Sequence, residues 1–241
     1  MATTIPMKLK ARKEIAEGTM AFFLEKPAGF DFKPGQAMEV KLQNPPETDG
    51  EGNSRAFSIA SAPYEPDILF ATRMRDTAMK RSLKEIPLGT TLEIDGPWGD
   101  LKLHTRDTRP AVFIAGGIGI TPFRSMVMDA AHNKLGHKIT LFYSNRRPED
   151  SAFLDDLAQA EQQNPNFKLI ATMTEMEKSS RPWSGKRGFV TKEMLSESIR
   201  DLSESIFYLA GPGGMLTAMH KLLLDRGVNE DDIRAEEFSG Y

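Results

Sequence analysis

The chain changes its hydrophobic rhythm once, near residue 106, and that break constrains the fold more than any other feature of the sequence. From Met7 to about Leu103 the apolar residues fall in short alternating or compact runs, MKLKARKEI, TMAFFLEK, AMEVKLQ, AFSIAS, ILFATRM and TLEIDG. Turn clusters (AEGT, KPGQ, NPPETDGEGNS, SAPYEPD, PLGT) separate them, a spacing that predicts an all-β antiparallel barrel or sandwich. After Arg109 a continuous apolar run, AVFIAGG, ends in glycines, and TPFRSMVMDAAHNKL then carries apolar residues at helical spacing. The alternation returns as KITLFYS with EDSAFLDDLAQAEQQ, FKLIATMT with VTKEMLSESI, and SIFYLAG with GMLTAMHKLLLDRG, the pattern of an α/β doubly wound parallel sheet. The polar segment HTRDTRP (104–110) is the joint, so two domains are expected, 1–106 and 107–241.

Composition narrows the chemistry. The 241 residues include no cysteine, which excludes a disulfide framework, a thiolate nucleophile and a Cys-ligated zinc or iron–sulfur centre. Redox work by this chain would need a bound organic cofactor. A net charge of −3, from 31 basic and 34 acidic residues, gives no basic field for nucleic acid. No apolar stretch approaches the roughly 18–20 residues of a membrane span, and MATTIPMKLKARKEI has no signal-peptide character, so a cytoplasmic location is expected. His104, His132, His137 and His220 are scattered without metal-ligand spacing, which predicts surface or helix-flank histidines and no metal site. Trp183 is expected to anchor its loop.

In AVFIAGGIGITPFRSM a strand runs into Gly116, Gly117, Ile118 and Gly119, and a helix opens at Thr121 and Pro122. Glycines admit a pyrophosphate close to the backbone, and a helix N-terminus supplies N–H groups and a positive dipole end. The same turn also serves tight packing alone. A second glycine-rich turn, Gly211, Pro212 and on to Met215, follows the last strand, and two such turns at carboxyl ends of one sheet point to a ligand crevice. A third loop places Ser144, Asn145, Arg146 and Arg147 at a strand's end, where a hydroxyl and guanidinium groups suit the 2′-phosphate of NADP, mildly favouring NADP over NAD. Glu149 and Asp150 are candidates to cap the next helix.

In the first half RAFSIAS puts Arg55 and Phe57 on one strand face, Ala56 and Ser58 on the other. Downstream, Arg73, Arg75, Lys80, Arg81 and Lys84 stand against one acid, Asp76, a cluster able to bind phosphate or to form a solvated basic helix.

The order of these motifs resembles the ferredoxin–NADP⁺ reductase family of flavoproteins over nearly the whole chain. The matching elements are the Pro34-Gly35-Gln36 turn, Arg55-Ala56-Phe57-Ser58, GPWG at 96–99, GGIGITP, YSNR, the glycine–proline turn at 211–212 and a C-terminal aromatic. The resemblance implies an N-terminal barrel holding FAD and a C-terminal NAD(P) domain, with nicotinamide entering between them. Arg55 would contact the FAD pyrophosphate, Phe57 would pack on the isoalloxazine, Ser58 would bond near flavin N5, and Met79, Lys80, Arg81 and Ser82 would cradle the pyrophosphate. Thr121 would sit at the flavin–nicotinamide contact, and Gly211 to Met215 would line the nicotinamide pocket. Tyr241 would cover the isoalloxazine, with Phe238 as alternative and Glu237 as a weaker candidate for proton delivery.

Three positions depart from the family pattern. Phe57 replaces tyrosine, Lys80 replaces a phosphate-loop serine, and Ala210 replaces a cysteine. The implied activity is hydride transfer from NADPH or NADH to FAD N5, then electrons passed singly to a separate protein such as ferredoxin, flavodoxin, an oxygenase component or a haem protein. The competing expectations are an electron-transfer subunit of a larger complex, a degenerate flavin-site binding module without reductase activity, and a plain nicotinamide dehydrogenase that would leave the barrel without a role.

Overall fold

The computed structural model describes residues 4–238. The six apolar runs of the first half become β1 (Ile5–Ala16), β2 (Thr19–Glu25), β3 (Ala37–Leu42), β4 (Ser54–Ser58), β5 (Asp67–Arg73) and β6 (Thr91–Trp98), with α1 (Ala78–Glu85) between the last two. They pair antiparallel in the order β4-β3-β6-β1-β2-β5. The sheet curls until its two end strands meet, where Ala60 N–H donates to Leu69 C=O at 2.7 Å, giving the expected barrel-like half. Its interior is filled by alternate residues of the strands, among them Phe22 and Phe70, stacked 5.1 Å apart, with Met38, Val40, Leu92 and Ile94.

The second half is the expected doubly wound sheet. It contains β7 (Ala111–Gly116), α2 (Ile120–His132), β8 (Ile139–Asn145), α3 (Leu154–Gln163), β9 (Phe167–Met173), β10 (Lys186–Arg187), α4 (Lys192–Ser198), β11 (Ile206–Gly211), α5 (Gly213–Leu224) and β12 (Ile233–Glu237). The order β10-β9-β8-β7-β11-β12, all parallel, means that the chain winds outward from β7 in one direction and then crosses to β11 on its other side. β7 and β11 therefore flank the topological switch point, where open α/β sheets bind ligands. Both strands are buried along their whole length.

Several polar contacts join the halves. Arg124 on α2 is only 6% exposed, and its Nη1 donates to the Ala60 carbonyl at 2.8 Å and to Glu65 Oε2 at 2.9 Å. Its Nη2 reaches Glu65 Oε1 and its Nε reaches Asp156, while the guanidinium lies over the Phe153 ring. The neighbouring Ser125 hydroxyl donates to Ser61 C=O at 2.6 Å. On the opposite side Glu17 N–H, in the β1–β2 turn, donates to Glu149 C=O, and Arg147 bonds Glu17. Removing Arg124 would strand the Glu65 carboxylate against a buried surface, so Arg124→Ala should cost roughly 3–5 kcal/mol in urea unfolding. Arg124→Lys, which cannot reproduce the fork, should recover only part of that loss.

The segment joining the halves is pinned by two buried histidines, a correction to the surface placement expected of them; His132 and His220 do lie at or near the surface. The Tyr208 hydroxyl accepts from His104 N–H (2.8 Å) and Arg234 Nη1 (3.2 Å), so its own proton points to His104 Nδ1 at 2.9 Å. That fixes the neutral His104 tautomer with Nε2–H donating to Arg109 C=O, and His137 Nε2 donates to His104 C=O. Burial pushes the His104 pKa down, and the Arg109 carbonyl only partly offsets it. The unfolded chain thus binds a proton that the native state resists, and stability should fall as pH drops below about 6.5. Thermal melts at pH 7 and pH 5 should show this fall in the wild type and a smaller one in His104→Gln.

Candidate functional site

The two glycine turns interlock. Gly117–Gly119 forms a single 3₁₀ turn, Gly117 has φ +51°, and α2 opens immediately after it. A Cβ on Gly119 would lie 2.3 Å from the Ala210 carbonyl oxygen, and one on Gly116 would lie 2.7 Å from Met215 Sδ and 2.9 Å from Pro212 Cδ. The glycines therefore serve tight packing, one of the two readings open from the sequence, and this packing also shapes a crevice. Gly119→Ala should destabilise the protein by about 1–3 kcal/mol through overpacking against backbone, measured by urea unfolding. Gly214→Ala, which meets nothing within 4 Å, is the matched control.

The crevice is a cleft of about 570 Å³ lined by Gly116, Gly117, Ser144, Asn145, Arg146, Thr174, Phe189, Pro212 and Met215, with Arg73 entering from the first half. Arg73 thus stands apart from the basic cluster to which the sequence assigned it. Asn145 is 5% exposed and neither side-chain amide atom has a hydrogen-bond partner, so the cleft wall carries an unspent donor and acceptor. Arg146 is exposed in this wall.

Arg147 is not available to the cleft, a correction to the expected pair. Its Nε and Nη2 bond Asp150 at 3.0 and 2.9 Å, and Nη2 also bonds Glu17. Asp150 consequently does not cap α3. Neither does Glu149, whose carboxylate accepts from the Ser179 and Ser180 hydroxyls and from Ser180 and Arg181 N–H. Desolvation pushes the Glu149 carboxyl up, but its own N–H and the serine donors outweigh it and hold the pKa at about 2. Trp183 anchors its loop as expected, with Nε1 donating to Lys186 C=O.

Thr121 is buried with its hydroxyl on Ile118 C=O, Pro122 sits in the first turn of α2, and Ile118 packs on the core. Ala210 is fully buried in β11, and Gly211 C=O accepts from Phe238 N–H.

At the end of β4 lies Ser58, 4% exposed, its hydroxyl without a hydrogen bond of normal geometry. Glu236 on β12 faces it: burial pushes the Glu236 carboxyl up and the Ser58 hydroxyl lowers it in part. The strand alternation turns Glu237 the other way, exposed beside Gly213 at the start of α5. Glu236, not Glu237, is therefore the carboxyl brought to Ser58. Phe238 is half-buried against the core, and Tyr241 lies outside the described residues.

On β4, Ala56 is exposed and Phe57 leans on Phe70 with ring centroids 4.7 Å apart. Arg55 bonds Glu51, and Arg81 bonds Glu47 and Asp76. Met79 and Ser82 are buried in α1, so the Met79 side chain belongs to the core, while the Ser82 hydroxyl has no partner. Lys80 is half-buried, its pKa lowered first by desolvation and then by Arg75 and Arg55. Among the described residues no group of three or more His, Cys, Asp or Glu gathers as a metal site, and no helix is long and apolar enough to cross a membrane.

Residues 113–221 match the family described as the oxidoreductase NAD-binding domain. The glycine betaine monooxygenase reductase subunit of Chromohalobacter salexigens is 28% identical over 223 residues, covering 91% of this chain and 60% of the relative. The chain thus spans about three-fifths of that relative's length. The flavohaem-like FAD/NAD-binding domain of nitric oxide dioxygenase from Vibrio cholerae superposes with a TM-score of 0.80 at 21% identity, covering 97% of this chain and 98% of that one. A ferredoxin NADP⁺ reductase from Neisseria gonorrhoeae, solved with bound FAD and NADP, gives 0.80 at 24% identity, covering 98% and 99%. These likenesses establish the same two-domain fold.

Proposed function

We propose that the chain is a ferredoxin reductase-like FAD- and NAD-binding oxidoreductase, which accepts a hydride from NAD(P)H on bound FAD and passes the electrons singly to a separate acceptor protein. The observation that carries this reading is the cleft walled by the interlocked glycine turns, which holds the buried, unpartnered Asn145 amide and which Arg73 enters from the first half. A buried amide with no partner suits a ligand that supplies one, and the residues present fit a flavin and a nicotinamide nucleotide. Bound FAD would supply hydride acceptance and the conversion from two-electron to one-electron transfer.

The protein's own part is binding, orientation and proton handling. We assign the flavin to residues 1–106 and the nucleotide to 107–241. Arg55, Lys80, Arg81 and the α1 N-terminus would hold the pyrophosphate, and Phe57, braced by Phe70, would cover one ring face. Glu236 keeps its proton to higher pH than a free carboxyl, and Ser58 could relay it by accepting that proton while passing its own hydroxyl proton onward. The interlocked turns would admit the nicotinamide between the halves while Asn145 and Ser144 hold the nucleotide. With Arg147 committed to Asp150, only Arg146 of that adjacent pair remains to meet a 2′-phosphate, so NADPH is preferred only mildly. The likeness to a monooxygenase reductase subunit supports an oxygenase component as the acceptor; a cytoplasmic setting and no nucleic-acid partner complete the reading.

An anaerobic absorption spectrum of the protein with FAD, titrated in parallel with NADPH and NADH, tests it. Bleaching of a flavin spectrum by either nucleotide is expected, with Arg146→Ala weakening NADPH by about tenfold, the cost of one charge-assisted phosphate contact, and leaving NADH unchanged. A protein that takes up no flavin would overturn the reading.

A further inference from the structure

The β3–β4 connection, NPPETDGEGN at 44–53, carries three acids in five residues, and all three carboxylates lie on the cationic groups just assigned to the flavin pyrophosphate. Glu47 grips Arg81 with both oxygens, 2.6 Å to Nε and 2.7 Å to Nη2. Asp49 accepts the Ala78 N–H at 2.9 Å, the first amide of α1, which has no side-chain cap from Thr77 and no acid in its first turn. Glu51 bonds Arg55 Nη2 at 2.6 Å, with Asp49 3.8 Å from the same nitrogen. The Glu51 N–H in turn donates to Asp49, so the loop is braced in this arrangement.

The contacts of Glu47 with Arg81 and of Asp49 with Ala78 join groups far apart in sequence. Glu47 and Arg81 are 34 residues apart, and Asp49 and Ala78 are 29 apart. The loop thus presents carboxylates to two guanidinium groups and a helix N-terminus, the donor set that binds a phosphate diester. The same contacts hold the Glu47 carboxyl below its usual range through Arg81, and Asp49 through the Ala78 amide.

We propose that this acidic loop is an internal competitor for the flavin pyrophosphate, folded onto the cradle in the flavin-free protein and displaced when FAD binds. The inference rests on the flavin reading above. A tethered competitor acts at an effective concentration in the millimolar range, and its closed state divides the intrinsic FAD affinity by the closed-to-open ratio. Three exposed ion pairs that must be exchanged together correspond to roughly a tenfold ratio. The loop also balances the charge of the cradle, so Arg55, Arg81 and α1 are held in place by its carboxylates.

The test uses the full chain freed of flavin. FAD is titrated by flavin fluorescence into wild type and into the E47Q/D49N/E51Q variant, which should bind FAD about tenfold more tightly. In parallel, a glutamate-specific protease probes wild type at Glu47 and Glu51; FAD should speed cleavage, and millimolar inorganic pyrophosphate should do the same. If wild type binds FAD but the variant binds it equally or more weakly, or if FAD slows cleavage at these two sites, the competitor is overturned and the flavin reading stands. If neither protein binds FAD, the flavin reading itself fails. The protease measurement needs no variant, so a folding defect in the triple substitution would still leave a decisive result.

Discussion

The distance between the two halves is set by a buried guanidinium. Arg124 projects from the helix that opens the nucleotide turn, and it ends in the loop that continues from the strand carrying Arg55, Phe57 and Ser58. A charge this deeply buried is tolerable only with its partners in place, since burial disfavours it and Glu65 and Asp156 restore it. The weld therefore allows little play: a shift of one half against the other that broke the fork would leave both Arg124 and Glu65 poorly solvated. The entry of Arg73 into the crevice and the approach of Glu236 to Ser58, which both cross the halves, inherit their spacing from it.

Within that frame the site is built from backbone more than from side chains. The turns after β7 and β11 touch at Gly116, Gly119 and Gly211, and only residues without a Cβ allow that approach. Because both turns lie at the switch point of the sheet, packing and binding impose the same requirement on the same residues. The Asn145 amide is buried in the cleft wall with donor and acceptor unspent, a fixed polar contact ready for a ligand.

Much of this was legible in the sequence because the periodicities are clean. Every apolar run of the first half is a strand, and every strand–helix pair of the second half is present, since burial on one or both faces leaves its period in the residues themselves. What escaped notice lacked that signature. β12, IRAEE, is a polar edge strand held by a parallel ladder to β11, and without knowing it is a strand there was no way to decide which of Glu236 and Glu237 turns inward. Arg124 reads as an ordinary helical arginine because its partner lies 59 residues away in the other half. Arg146 and Arg147 are adjacent, so composition could not show that one faces the cleft while the other is spent on Asp150 and Glu17. The buried histidines sit in or beside a polar joint whose burial depends on a tyrosine hydroxyl about a hundred residues on.

The strand that carries Arg55 to Ser58 is an end strand of its sheet and is laddered only to β3, touching β5 just past its own end through Ala60 and Leu69. The amides of β1, between β2 and β6, are protected by two ladders, whereas those of β4 are released by opening one. The first sheet therefore has a gradient of local stability that descends toward the cofactor groove, and hydrogen exchange would be quickest at the strand most concerned with the ligand. A groove at the seam of a curled sheet can adjust to a bulky ring system by moving one lightly held strand, with the β1–β2–β6 centre of the sheet left undisturbed.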